Sequence, residues 1–229
     1  FNGFNAGIIV PYNATTTAPQ ATGFDIPNNW AFYQAGLALN PQIAGSGQGM
    51  QGFPTDRIIR SQVDGSVFQL GPYGGQNALM LGNGYPSSST LTLVTPQAFN
   101  KLAILASSAN GGGLGTVVLN FNDGTKSPSY NLNAQDWYNT TTNVALQGFG
   151  RVRLGQATFS TENPGWSNPN LYQTTIDLAS VGLNKVVNSI TITAPATGGS
   201  RTTAILGVSG QAMPSSVAIT KQPISTTNN

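Results

Sequence analysis

Short alternating runs closed by turn residues constrain this chain more than any other feature. The segment Val117–Tyr138 is the clearest case. Val117, Leu119 and Phe121 alternate with Val118, Asn120 and Asn122, the two-residue period of a strand with one buried face. Asp123-Gly124 then supplies a turn, because glycine tolerates positive φ and aspartate bonds the backbone two residues on. The chain leaves through Tyr130 and Leu132 and ends in Asp136-Trp137-Tyr138. The same grammar recurs in Thr90–Val94, Leu171–Leu178, Val186–Thr193 and Thr203–Ser209, with a Gly198-Gly199-Ser200 turn between the last two. Ser66–Leu70 and Asn77–Leu81 read as strands on either side of Pro72-Tyr73-Gly74-Gly75, and Gly7–Val10 as a short strand at a sheet edge. Lys101–Ala106 is more continuously apolar, as in a strand covered on both faces, with a helical turn as the alternative. Asn110–Gly113 is a sharp reversal, Thr140–Val144 a surface loop, and Thr161–Pro169 a long polar loop that carries Trp166. About ten or eleven short strands and no long helix predict an all-β sandwich or barrel.

Composition narrows the function classes. Charged residues make up 7% of the chain, against roughly 25% in ordinary soluble proteins. The polar surface must come from Ser, Thr, Asn, Gln and Gly, which suits a secreted or cell-surface β protein. The hydrophobic share of 39% supports a core and excludes disorder. The nine Lys and Arg are scattered and the net charge is +2, so nucleic acid is not an expected partner. No run reaches the roughly 18 apolar residues of a membrane helix, so membrane insertion is not expected either. Cysteine and histidine are both absent. That removes disulfides, thiolate zinc sites and imidazole-based catalysis, leaving carboxylates, hydroxyls, Lys and Tyr. Phe1 in place of an initiator Met suggests a processed chain or an excised piece. Residues 1–212 read as a β-sandwich domain, with 1–22 an N-terminal strand or extension. Residues 213–229 read as a linker to a following domain. Asn13-Ala14-Thr15 and Asn139-Thr140-Thr141 match the N-glycosylation pattern, as chance alone allows in so Asn- and Thr-rich a chain.

Four motifs carry a family resemblance: Phe121–Thr125 (F-N-D-G-T), Asp136-Trp137-Tyr138, Asn168–Tyr172 (N-P-N-L-Y) and Ile205–Gly210 (I-L-G-V-S-G). Together they resemble the galactose-binding-like jelly-roll modules of secreted bacterial multidomain proteins. The tail Ile219-Thr220-Lys221-Gln222-Pro223 looks like the opening of an immunoglobulin-like repeat. The resemblance spans roughly Ser66 to Gly210. It implies an all-β sandwich of jelly-roll type that binds carbohydrate without catalysis, with no cofactor beyond the structural calcium that some such modules hold. Residues 1–60 lie outside it.

Sugar recognition needs flat apolar ring faces beside convergent hydrogen-bonding groups. Trp166, Trp137, Tyr138, Tyr172 and Tyr85 are the candidate rings, with Tyr73 a further rim residue, and Asp136 and Arg151 are the candidate polar partners. Each has a plainer alternative. Trp137 also reads as a core plug, Asp123 as a turn former, and Asp136 as an ion-pair partner of Arg151 or Arg153, which share one sheet face. Phe24, Trp30, Phe32 and Tyr33 form a dense aromatic group that serves either core or binding surface. Calcium would draw singly on Asp25, Asp64 and Asp177, since no D-x-D-x-D-G loop is present. A glycosidase would need two converging carboxyls from Asp123, Asp136 and Glu162, the sole glutamate. The expected function is therefore polysaccharide binding. The alternatives are a surface or filament module that assembles through sheet edges or an N-terminal strand, and a carboxylate-dependent glycosidase. The expected partners are a polysaccharide, further copies of the chain, and adjacent domains.

Overall fold

The computed structural model describes residues 1–39, 52–139, 142–164, 167–196 and 198–213. Every regular element among them is a strand. The first five are short: β1 (Ile9–Val10), β2 (Trp30–Tyr33), β3 (Ile58–Arg60), β4 (Val67–Gln69) and β5 (Leu79–Leu81). The middle of the chain forms β6 (Ser88–Gln97), β7 (Phe99–Ala109), β8 (Gly113–Phe121) and β9 (Tyr130–Ala134). The remainder forms β10 (Val144–Gln147), β11 (Phe149–Arg153), β12 (Ser160–Pro164), β13 (Asn170–Asp177), β14 (Val187–Thr193) and β15 (Thr202–Ala212).

Two antiparallel sheets pack face to face. One has five strands in the order β10-β13-β7-β15-β5, and the other has four in the order β6-β14-β8-β9. Their shared core holds Leu79, Leu91, Ile104, Val117, Leu119, Ile176, Ile190, Ile192 and Ile205. The alternation read from sequence sets this interface. Leu91 and Leu93 of β6 turn inward while Thr92 and Val94 face solvent, and Val117, Leu119 and Phe121 of β8 are buried. The all-β expectation holds, and the arrangement is sandwich-like.

A third layer covers the other face of the five-stranded sheet. It consists of a four-stranded sheet, β1-β2-β11-β12, and the β3-β4 pair. Phe24, Phe32, Phe53, Phe68, Trp137 and Phe149 fill the space above Ala103, Leu105, Leu171, Ala204 and Leu206. Most of β7 is therefore buried on both faces, which explains the continuous apolar run Leu102–Ala106 and settles it as strand.

The structure departs from sequence expectation in two places. Part of the predicted Thr161–Pro169 loop is edge strand, because β12 pairs with β11 and sets Glu162 opposite Arg151. Several early strands have only two to four residues, too short to show a period.

Residues 1–22 lie against the body. Asn2 exchanges backbone hydrogen bonds with Thr92 on the edge strand β6 (2.8 and 2.9 Å). The Asn5 side chain imitates a strand backbone against the other edge, donating to the Met80 carbonyl (3.0 Å) and accepting from the Met80 N–H (2.7 Å). Ile8, Ile9 and Val10 are fully buried. Asn77, itself buried, accepts the Ile8 N–H at 3.0 Å. The N-terminal segment thus blunts the β5 and β6 edges, the usual sites of unwanted pairing. Deleting residues 1–8 should lower the melting temperature and produce concentration-dependent self-association. Differential scanning fluorimetry and light-scattering chromatography would test this. A truncated chain that stays monomeric and equally stable would overturn the edge-sealing role.

Candidate functional site

The loop after β9 is stitched into the body through Asp136. The chain crosses from the central sheet to the outer one at Asn110–Gly113, with φ values of +60° at Asn110 and +103° at Gly111. Gly111 donates its N–H to Asp136 Oδ2 (2.6 Å), and Tyr138 donates its own to Oδ1 (2.9 Å). Trp137 N–H bonds the Ser108 carbonyl at 2.7 Å. Gly112 lies so close beneath that a Cβ there would stand 2.1 Å from the Asp136 nitrogen. Asp136 is therefore a tether between a crossover and a loop, and its partners are backbone amides, not Arg151 or Arg153.

The loop's aromatic residues divide by depth. Trp137 is 2% exposed and meets Phe24 and Phe32 edge-on at 4.9 and 5.5 Å. Tyr172 is fully buried, and its hydroxyl donates to the carbonyls of Asp136 (2.8 Å) and Asn139. Tyr138 stays half-buried at the rim. Trp166 lies outside the described residues.

The rim is organised by Arg151. Its guanidinium carbon sits 4.3 Å from the Trp30 ring centre, 4.4 Å from Tyr138 and 5.1 Å from Trp137. Its Nε donates to Glu162 Oε2 at 2.7 Å, one Nη donates to the same oxygen, and the Tyr138 hydroxyl donates there at 3.3 Å. Arg151 is 14% exposed at its side chain and Glu162 43%. Arg153 lies on the same face, 5.9 Å from the Trp30 ring centre, and is exposed.

A separate cleft of about 490 Å³ lies beside the turn that leads into β2. Tyr85, Ile26, Leu154 and Pro19 supply its apolar surface, and Thr16, Thr22 and Asn29 supply polar groups. None of its lining residues is charged. The cleft and the rim are neighbours in sequence, since Asn29 precedes Trp30, Leu154 follows Arg153, and the Leu154 N–H bonds the Asn29 carbonyl at 2.9 Å, but Leu154 packs with Val152 and Ala31 on the sheet face opposite Arg151.

No protein-family model matches this chain, and no curated protein is significantly similar to it. The chemistry of the two patches therefore has to carry the functional reading.

Of the residues selected from sequence, Tyr138, Arg151, Trp137 and Asp136 come together at or beneath the rim, while Tyr85 belongs to the cleft. Trp30 was visible in sequence only as one of a dense aromatic group. Nothing local marked Ile26, Asn29 or Leu154, because their roles depend on a loop meeting a distant strand.

The acids are all engaged. Asp25 accepts from the Asn28 and Asn110 amides, Asp56 from Ile58 N–H, and Asp177 from Ser180 N–H. Asp123 takes the Thr125 N–H (2.9 Å) and pairs with Lys185, confirming its turn role. No group of three or more acidic residues is arranged for a metal ion among the described residues. Asp64 pairs with Lys101 at 2.8 Å. Partial burial pushes its carboxyl up, but bonds from Lys101, Gln173 and Ser66 outweigh that and hold it well below the usual range. A depressed folded-state value contributes stability that is complete above roughly pH 4 and lost as pH falls below it. Lys101→Met should therefore lower the melting temperature slightly at pH 6 and have a shrinking effect toward pH 2. A pH-independent difference would show that the Lys101 stem, not its charge, matters.

Proposed function

We propose that this chain is a non-catalytic module that binds extracellular polysaccharide, built on a galactose-binding-like jelly roll. The observation that carries the reading is the uncharged cleft. Tyr85 offers a ring for a pyranose C–H face, while Asn29, Thr16 and Thr22 offer groups that bond hydroxyls. A neutral, mainly apolar lining with a few hydroxyl and amide groups suits a sugar better than a nucleotide or a peptide of high charge. The rim of Trp30, Tyr138 and Arg151 offers a second surface with ring faces and hydrogen-bond donors. A surface with few charges also suits a secreted or cell-surface setting.

Binding is favoured over hydrolysis by the state of the carboxylates. Both Asp136 oxygens accept backbone N–H groups, and Glu162 is held by Arg151. A glycosidase needs one carboxyl available to donate a proton and a second available to attack or to activate water. Assembly through a donated N-terminal strand is disfavoured because Asn2, Asn5 and Ala6 are hydrogen-bonded to their own chain and Ala6 and Ile8–Val10 are buried in it.

Tyr85→Ala should weaken retention on the bound polysaccharide by about tenfold, the worth of one stacked ring. Affinity electrophoresis across a panel of neutral and acidic polysaccharides would measure it, with the melting temperature as a control for folding. Unchanged retention in a folded Tyr85→Ala protein would remove the cleft from the site.

A further inference from the structure

We infer that the rim gives this module a preference for glycans bearing a carboxylate, such as uronic acid residues, with Arg151 as the anchor and Glu162 as a built-in competitor. The inference rests on the polysaccharide-binding reading and names the ligand class of that surface.

The guanidinium itself provides the argument. Arginine carries five N–H donors in a planar fork that fits a carboxylate with two parallel bonds. Here Nε and one Nη donate to a single oxygen of Glu162. No acceptor among the described residues takes the remaining donors, and none of these nitrogens is buried without a partner. The Nε edge of the fork is thus filled, while the Nη that does not bond Glu162 has no acceptor among the described residues and is not sealed off from solvent. A ligand carboxylate can dock end-on without breaking the existing pair.

The surroundings favour such a ligand. Trp30 and Tyr138 hold the guanidinium in place, so little side-chain freedom is lost on binding. Arg153 adds a second exposed cation on the same face, with no carboxylate partner among the described residues. The cleft is neutral, so of the two surfaces only the rim offers charge to a ligand. Glu162 works against an anionic ligand, since it shares the same cation and repels a second carboxylate beside it. A purely structural ion pair gains from Glu162. A ligand-reading arginine is restrained by it.

The two roles give opposite results for one conservative change. A polyuronate and the same polymer after carboxyl reduction would be compared by isothermal titration at low salt. Wild type should bind the polyuronate more tightly. Glu162→Gln should raise that affinity by about twofold to fivefold, the scale of one partly exposed charge, and leave the reduced polymer unaffected. Arg151→Gln should lower polyuronate affinity about tenfold, the loss of a charged hydrogen bond, and bring it level with the reduced polymer. Because Arg151 packs among rings and its replacement endangers the fold, Glu162→Gln is the deciding variant. Unchanged or weaker polyuronate binding by a folded Glu162→Gln protein would overturn the inference. Equal wild-type binding of the two polymers would also overturn it, and would leave the neutral cleft standing. Binding of neither polymer, nor of any glycan in the wider panel, would overturn the polysaccharide reading itself.

Discussion

A strand with no solvent face dictates this architecture. From Leu102 to Ala109 every residue of β7 is buried, so the strand needs a cover on each side. The four-stranded sheet supplies one, through the inward sides of β6, β8 and β14. The other cannot come from the sandwich itself. It is assembled from separate parts of the chain: β1 and β2, the β3-β4 pair, the loop at Trp137, and β11. Burying large aromatic side chains contributes roughly 2–3 kcal/mol each. Phe24, Phe32, Phe53, Trp137 and Phe149 form one contiguous ring cluster there. The candidate surfaces lie along this patchwork layer, where loops from distant parts of the sequence meet.

Much of the sandwich was legible in sequence because period-two alternation is a local signal. Val117–Phe121 and Thr90–Val94 needed only a few residues each to reveal their buried faces. The doubly covered β7 was legible for the complementary reason, since a strand without a polar side loses its alternation. The outer layer was not legible. Ile9–Val10 and Ile58–Arg60 are too short to display a period, and Glu162 looked like part of a loop because its strand exists only by pairing with β11.

The site was partly legible for similar reasons. Asp136-Trp137-Tyr138 stood out by residue type, yet each residue took a different depth. Asp136 turned to backbone amides, Trp137 entered the core, and Tyr138 stayed at the rim. Sequence can rank side chains by chemistry but cannot tell which end of a three-residue loop faces water. Arg151 and Arg153 were correctly placed on one face, because period two fixes that much. The partner of Arg151 came from across the strand pair, where only register could supply it.

Scarcity of charge gives the remaining carboxylates unusual weight. With seven acids in 229 residues, each one observed is already committed to a turn, a tether or an ion pair. In Asp25 and Asp136 that commitment is to amide donors, which leaves the carboxylates fixed without an ion pair. In Glu162 it is to the one guanidinium clasped by two rings. The cleft and the rim consequently differ in kind, although they draw on consecutive residues, Asn29 and Trp30 at the start of β2 and Arg153 and Leu154 at the end of β11. On the proposed reading, the cleft is suited to shape and hydroxyls and the rim to charge, with the chain's own Glu162 beside the arginine that would read it.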